Sequence, residues 1–322
     1  MITPPFSVQI ELVQGCNLQC PFCGINAIQD PRNKHYQFMS EETFCKLLEQ
    51  LPVWNARLEF AMHGEPTLHP QFYKFMERAR AALPKASIMV TTNGYRFIKG
   101  DIIENFTHAF DAGVNVIALD EYEYVNYYKK IRVALYDESL LEFDIVEYPK
   151  DKRFSPNKKW PPRTRLLILV QDISKATHGT HAKLSNHAGA AAPLTTATAG
   201  KRCTKPFREI AVRWDGSVSL CCETWDGPYN CGNINTLAIE KIWEGRPFEV
   251  ARRFLYHGQR PLAPCKGCSH VGYRVGLLPD PKGKETVPAP TSADLAYWRK
   301  KLREPVLTPT IRPIPVPDDS SK

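Results

Sequence analysis

The sequence predicts an α/β fold built on a parallel sheet, followed by a small hairpin-plus-helix domain. Two observations carry this. Over residues 1–173, six strand-like runs alternate with helical runs, the pattern of repeated βα units. From residue 201 the pattern changes to two strand-like runs joined by Asp215-Gly216, a hairpin signal, and then to short helices.

The elements follow in order. Phe6 to Val13 alternates apolar and polar residues and reads as a strand, and Cys16 to Asp30 is a loop. Ser40 to Leu51 is a helix, with Ser40 as N-cap, Glu41 and Glu42 in the first turn, and Phe44, Leu47, Leu48 and Leu51 on one face. Arg57 to Met62 is the second strand, and it runs into His63-Gly64-Glu65-Pro66. A helix over residues 70–83 places Phe72, Phe75, Met76 and Ala79 together. Ser87 to Thr92 is the third strand and ends in Asn93-Gly94. Ile102, Ile103, Phe106 and Phe110 mark a further helix. The remaining strands are Val114 to Asp120, Leu141 to Tyr148 and Arg165 to Asp172.

Residues 174–200 are rich in Ala, Thr, His and Gly without a period and read as a connector. Its histidines, His178, His181 and His187, read as residues of a solvated loop. Residues 201–276 carry the hairpin (Arg208 to Trp214 and Ser217 to Cys222) and helices near 237–243 and 247–257, the second closed by Gly258. Residues 277–322 form a Pro-rich extension that is expected to be a flexible tail from about Glu304.

With 322 residues, 43% of them hydrophobic, the chain is large enough for one sizeable core and a smaller appendage. Lys and Arg exceed Asp and Glu by 42 to 34, a moderate surplus that reads as a basic surface. No apolar stretch is long enough to predict a membrane span, and the N-terminus lacks the pattern of a signal peptide. A cytoplasmic, reducing location is therefore expected. Ten cysteines there point to metal or catalysis before disulfides.

Cys16, Cys20 and Cys23 place three thiols within eight residues. Thiolates are preferred ligands of iron–sulfur clusters, and three of them on a four-iron cluster leave one iron open. A structural zinc site would need a fourth ligand. His35 and Cys45 are nearest and have no standard spacing.

Cys-x3-Cys-x2-Cys after a first strand, with Phe22 before the last Cys, resembles the signature of radical S-adenosylmethionine (SAM) enzymes. The resemblance implies a partial (βα)6 TIM-like barrel and a [4Fe–4S] cluster on Cys16, Cys20 and Cys23. The open iron would chelate SAM, and Phe22 would lie against its adenine. Gly64-Glu65-Pro66 is similar to the family's Gly-Gly-Glu-Pro segment, which holds the SAM amino group; His63 stands in place of the first Gly. Thr92-Asn93-Gly94 resembles the segment that closes strand three near SAM. By position alone, Asp120 would meet the ribose and Arg132 the SAM carboxylate, although both also fit a surface charge or a helix ion pair.

Cys203, Cys221, Cys222, Cys265 and Cys268 lie in the second region. Cys265-x2-Cys268, with Cys203 before the hairpin and Cys221 at its end, makes a closed four-thiolate set. The arrangement resembles the SPASM or shorter Twitch extension of radical SAM enzymes. It implies one auxiliary [4Fe–4S] cluster on Cys203, Cys221, Cys265 and Cys268. The Gly216-x4-Cys221 spacing and strand alternation select Cys221 over Cys222. A zinc knot is the competing reading.

The implied chemistry is reductive cleavage of SAM to a 5′-deoxyadenosyl radical, which takes a hydrogen atom from a polar substrate. The net result would be oxidation or rearrangement. The implied partners are a reductant such as flavodoxin or ferredoxin and a small-molecule, sugar, peptide or nucleotide substrate, with no membrane. A structural zinc scaffold and a nucleobase-modifying enzyme are the alternatives. His35, Tyr36 and residues Tyr122 to Tyr128 are substrate-site candidates.

Overall fold

A computed structural model describes all residues except 1–2, 31, 33, 123–124, 138, 140, 149–157, 171–185, 192–199, 226–228, 262, 271–286, 302 and 304–322. Much of the expected connector, with His178 and His181, and the expected tail therefore lie outside the described residues.

Strand β1 (Ser7–Ile10) is buried along its length and organises the sheet. It is followed by β2 (Val13–Gln14), β3 (Gln37–Phe38), α1 (Glu41–Gln50), β4 (Arg57–Phe60) and α2 (Phe72–Ala82). Then come β5 (Ser87–Thr92), α3 (Ile102–Asp111), β6 (Val116–Asp120), α4 (Tyr127–Ala134), β7 (Asp144–Tyr148) and β8 (Leu166–Val170). The C-terminal region contributes α5 (Lys205–Arg208), β9 (Glu209–Val212), β10 (Ser217–Ser219) and β11 (Asn230–Asn233). It also contributes α6 (Ile239–Trp243), α7 (Arg246–Tyr256), α8 (Ala263–Gly267) and α9 (Ser292–Lys301).

Among the described residues the main sheet runs β11-β10-β9-β1-β4-β5-β6-β8-β7. From β9 to β7 every neighbouring pair is parallel. This is the α/β architecture that the alternating pattern predicts, with two features beyond it. The sixth expected strand, β8, lies between the fourth and the fifth, pairing with both β6 and β7. The hairpin strand β9 adds to the open edge of β1, in register from Ser7 against Glu209 to Ile10 against Val212. Ile210 and Val212 are fully buried, and the free edge of β1 gives their backbone groups partners.

The helices cover the sheet as their apolar spacing dictates. Ser40 Oγ caps α1 by accepting the Thr43 N–H at 3.1 Å. Phe44 of α1 stacks on Phe75 of α2 at 4.3 Å and 11°, and both are fully buried. Burial of such a side chain contributes about 1.5–3 kcal/mol. Helix α9 lies in the region read as an extension. It docks by Trp298, which is 1% exposed, and by Asp294, which pairs with Arg246 and Arg253 of α7.

Because β1, β4, β5 and β6 run parallel, their C-terminal ends emerge on one side of the sheet. The cysteine loop, Gly64-Glu65 and Asn93 follow the ends of β1, β4 and β5, Asp120 is the last residue of β6, and all are brought together there.

Candidate active site

The chain leaves β2 through Gly15, which forms a parallel bridge to Gly64. Gly15 N–H donates to the His63 carbonyl at 3.1 Å, and Glu65 N–H donates to the Gly15 carbonyl at 3.0 Å. A Cβ on Gly64 would lie 2.3 Å from the Gly15 oxygen, so only glycine permits this approach. The buried side-chain amide of Gln29 then clamps Cys16. Its Oε1 accepts the Cys16 N–H and its Nε2 donates to the Cys16 carbonyl, both at 2.9 Å. Asn26 Nδ2 donates to the Cys20 carbonyl at 2.8 Å and closes the loop.

The Cys16, Cys20 and Cys23 thiols line one cavity of about 260 Å³. Phe22, Gly64, Glu65, Asn93 and Asp120 share its wall. Cys16 Sγ accepts from Leu18 N–H at 3.3 Å and Asn93 Nδ2 at 3.6 Å, and Cys23 Sγ accepts from Ile25 N–H at 3.4 Å. Burial pushes the Cys16 thiol far up and the Cys23 thiol up to about 12. Such thiols lose their protons when a metal replaces them.

Glu65 is saturated with donors. Its Oε1 accepts from Thr67 N–H (3.1 Å), Thr67 Oγ1 (2.6 Å) and Thr92 Oγ1 (2.7 Å), and its Oε2 accepts from Asn93 N–H (2.7 Å). Burial still leaves the carboxyl above its ordinary range. This network fastens the loop after β4 to the end of β5. Pro66 lies behind the wall as the first residue of a short 3-10 turn, Pro66–Leu68. Burial first, and then the charge of Glu65, push the Asp120 carboxyl up to about 7. Tyr122 donates its hydroxyl to Asp120 Oδ2 at 3.4 Å and stacks on Phe22 at 6.2 Å and 16°.

The structure does not bring Arg132 to this wall. It sits on α4, roughly half exposed, with its guanidinium 2.6 Å from Glu147 of β7. His35 is exposed, Tyr36 packs against Gly15, and Tyr128 joins the core. The reading of His187 as a solvated loop residue is corrected. Its ring lines the cavity, and its Nδ1 accepts the Trp225 Nε1–H at 3.0 Å. Trp225 lines the same cavity; nothing in its sequence context marks it. His187 and Ala188 both have positive φ (47° and 55°), so the backbone is strained where the ring enters. The turn is held by Asn186, which accepts the Ser269 N–H at 2.8 Å and donates to the Gly267 carbonyl at 2.7 Å.

A second, smaller cavity is lined by Cys203, Cys221, Cys265 and Cys268. Lys205, Glu223, Arg260 and His270 complete much of its wall. Cys222 does not line this cavity: its Sγ lies 3.1 Å from Lys205 Nζ and 3.2 Å from Glu209 Oε1. Burial raises the Cys203 thiol against the opposing charges of Arg260 and Lys205, and it raises Cys268 to about 11. Among the described residues no three His, Cys, Asp or Glu groups gather as for a single metal ion. Thiolates are preferred ligands of iron–sulfur clusters, and four cysteines line this cavity. By the same criterion the first cavity, with three thiols and adjoining space, suits a cluster with one iron left for a ligand.

The radical SAM superfamily model matches residues 10–140, and an iron–sulfur cluster-binding domain model, SPASM, matches residues 203–269. A GTP 3′,8-cyclase of Mannheimia succiniciproducens is 25% identical over 111 residues, 34% of this chain and 32% of that protein. The chain thus spans about a third of the length of that curated relative. The crystal structure of BtrN in complex with AdoMet and 2-DOIA is similar, with a TM-score of 0.64 at 20% identity. That likeness covers 86% of this chain and 98% of BtrN. An open conformation of BtrN has a TM-score of 0.57 at 19% identity, covering 84% and 95%. At these identities the likeness establishes the fold. No helix among the described residues is long and apolar enough to cross a membrane.

Proposed function

From the premise that this chain belongs to the radical SAM superfamily and carries a C-terminal SPASM iron–sulfur domain, we propose that it cleaves SAM reductively and abstracts hydrogen from a polar substrate. Its cofactors are a [4Fe–4S] cluster with SAM and an auxiliary iron–sulfur cluster. We assign the first to Cys16, Cys20 and Cys23 and the second to Cys203, Cys221, Cys265 and Cys268. When bound, the first cluster and SAM supply one-electron cleavage and, through it, removal of a substrate hydrogen atom.

The chain's own residues bind and orient. The peptide groups of Gly64 and Glu65, fixed by the bridge to Gly15, form the edge that receives the SAM amino group. Phe22, backed by Tyr122, offers an aromatic face for the adenine. Asp120 and Asn93 add polar groups on the same wall. On the wall formed with the C-terminal region, Trp225 offers a flat apolar surface. His187 accepts at Nδ1, so its neutral ring carries the proton on Nε2 and is a donor. A polar ring beside an aromatic face suits a polar substrate. The closed four-thiolate set suits electron transfer or shaping of the site, and the net reaction is an oxidation or a rearrangement. A low-potential carrier such as flavodoxin or ferredoxin would supply the electron.

The observation that carries this reading is that three thiols, Gly64-Glu65 and Asp120 line one cavity. Anaerobically reconstituted protein given dithionite and SAM should form 5′-deoxyadenosine. A protein that loads iron and forms none would refute the reading.

A further inference from the structure

His63 stands immediately before Gly64-Glu65-Pro66, and its side chain is fully buried. Its Nε2 lies 2.9 Å from the carbonyl oxygen of Cys222 and its Nδ1 2.7 Å from Glu11 Oε1. A carbonyl oxygen only accepts, so Nε2 donates. Glu11 is fully buried too. Its Oε2 accepts the Trp214 N–H at 3.1 Å and faces Arg213 Nε at 3.7 Å. Burial opposes its charge, yet Arg213, His63 and these hydrogen bonds together hold the carboxyl below its ordinary range. With Nε2 donating to the Cys222 carbonyl and Nδ1 held against the Glu11 carboxyl, both nitrogens of the ring are fixed. Trp225 covers the ring at 4.5 Å, and its carbonyl receives Arg213 at 3.1 Å.

Two sites meet at this side chain. The His63 carbonyl receives the Gly15 N–H, and Gly64 follows on the wall of the first cavity. Cys222, at the other end, follows Cys221 on the wall of the second. The carbonyl that the ring binds belongs to the Cys222–Glu223 peptide, one residue beyond Cys221, so a single fully buried side chain joins that segment to the residue preceding Gly64.

We propose that His63 is a positioning residue that couples the two cysteine sites, so that SAM binding at the first depends on whether the second is filled. This rests on the ligand assignments proposed above.

The test is a double-mutant cycle on reconstituted protein. Radiolabelled SAM binding and iron content are measured for the wild type, C221A, H63G and the H63G/C221A double variant. C221A should lose the auxiliary iron and weaken SAM binding about tenfold, the scale of an ordinary coupling. H63G should weaken it similarly, and the double variant should bind no worse than H63G. H63Q, whose amide can still donate towards the Cys222 carbonyl, should restore part of the affinity. If H63G fails to load iron, the same cycle runs on H63F, whose ring fills the space and has no donor for the Cys222 carbonyl. In a wild type that binds SAM, effects that multiply in the double variant would overturn this proposal alone. A wild type that loads iron and does not bind SAM would overturn the ligand assignment and the coupling with it.

Discussion

Cys221 and Cys222 are neighbours in the turn that follows β10, and they meet different partners. Cys221 lines the thiol cavity, whereas Cys222 Sγ lies against Lys205 Nζ at 3.1 Å and Glu209 Oε1 at 3.2 Å. Cys221→Ala should therefore strip the auxiliary iron, and Cys222→Ala should keep it. Iron analysis of the two variants decides: equal loss, or loss only in Cys222→Ala, would reverse the assignment.

Cys16, Cys20 and Cys23 share a cavity that contains none of the other four assigned thiols. Replacing all three by Ala should abolish 5′-deoxyadenosine formation and leave about half of the roughly eight irons that two four-iron clusters hold. Residual 5′-deoxyadenosine from the triple variant would show that these thiols do not hold the reactive cluster.

Where residues interact with near neighbours in sequence, the site was legible. The spacing of apolar residues sets α1 and α2, whereas the expected strand Ser217 to Cys222 ends at Ser219, so the turn after it, and not alternation along a strand, separates Cys221 from Cys222. The strand order was not, because β8 enters between β6 and β7 through pairings that leave no local mark. The placements of His187 and Trp225 depend on a turn anchored about 80 residues away at Ser269 and Gly267. Arg132 was misplaced for a related reason: a partner on another strand, Glu147, holds it outside the cavity. Helix α9 did leave a signal. Thr291 and Asp294 form a reciprocal capping box, with Thr291 N–H donating to Asp294 Oδ2 at 2.8 Å and Asp294 N–H to Thr291 Oγ1 at 3.2 Å.

Helix α9 therefore belongs to the folded body. Trp298 is 1% exposed and joins the main core beside Tyr229. Trp298→Ala should cost about 3–5 kcal/mol of stability, measured by denaturant unfolding. A loss below about 1 kcal/mol would mean that the helix is not packed as described.

Gly64→Ala should be more damaging to SAM binding than to folding. The added methyl would lie 2.3 Å from the Gly15 carbonyl oxygen and 2.4 Å from that of Val13. Backbone atoms on both sides must part by roughly 1 Å to reach ordinary contact, at a cost of about 1–3 kcal/mol or more, and the Gly15–Gly64 bridge would open beside Cys16. Calorimetric titration with SAM should show binding lost while iron content stays near that of the wild type. Unchanged SAM affinity would remove Gly64 from the site.

Asp120 makes stability depend on pH in a direction opposite to that of most carboxylates. Burial and the charge of Glu65 raise its folded carboxyl from 3.8 to about 7. Between these values the folded state holds a proton that the unfolded state has released, so the group favours folding at low pH. That contribution is complete below about 4 and is lost as pH rises through about 7. Three units would correspond to about 4 kcal/mol, and partial exposure to the cavity reduces this to about 1–2 kcal/mol. Asp120→Asn removes the titration and keeps the shape. In cluster-free protein, the stability of the wild type relative to this variant should fall by that amount between pH 5 and pH 8 in denaturant unfolding. A constant difference across that range would mean that Asp120 is ionised throughout and that the wall of the cavity is wetter than its packing implies.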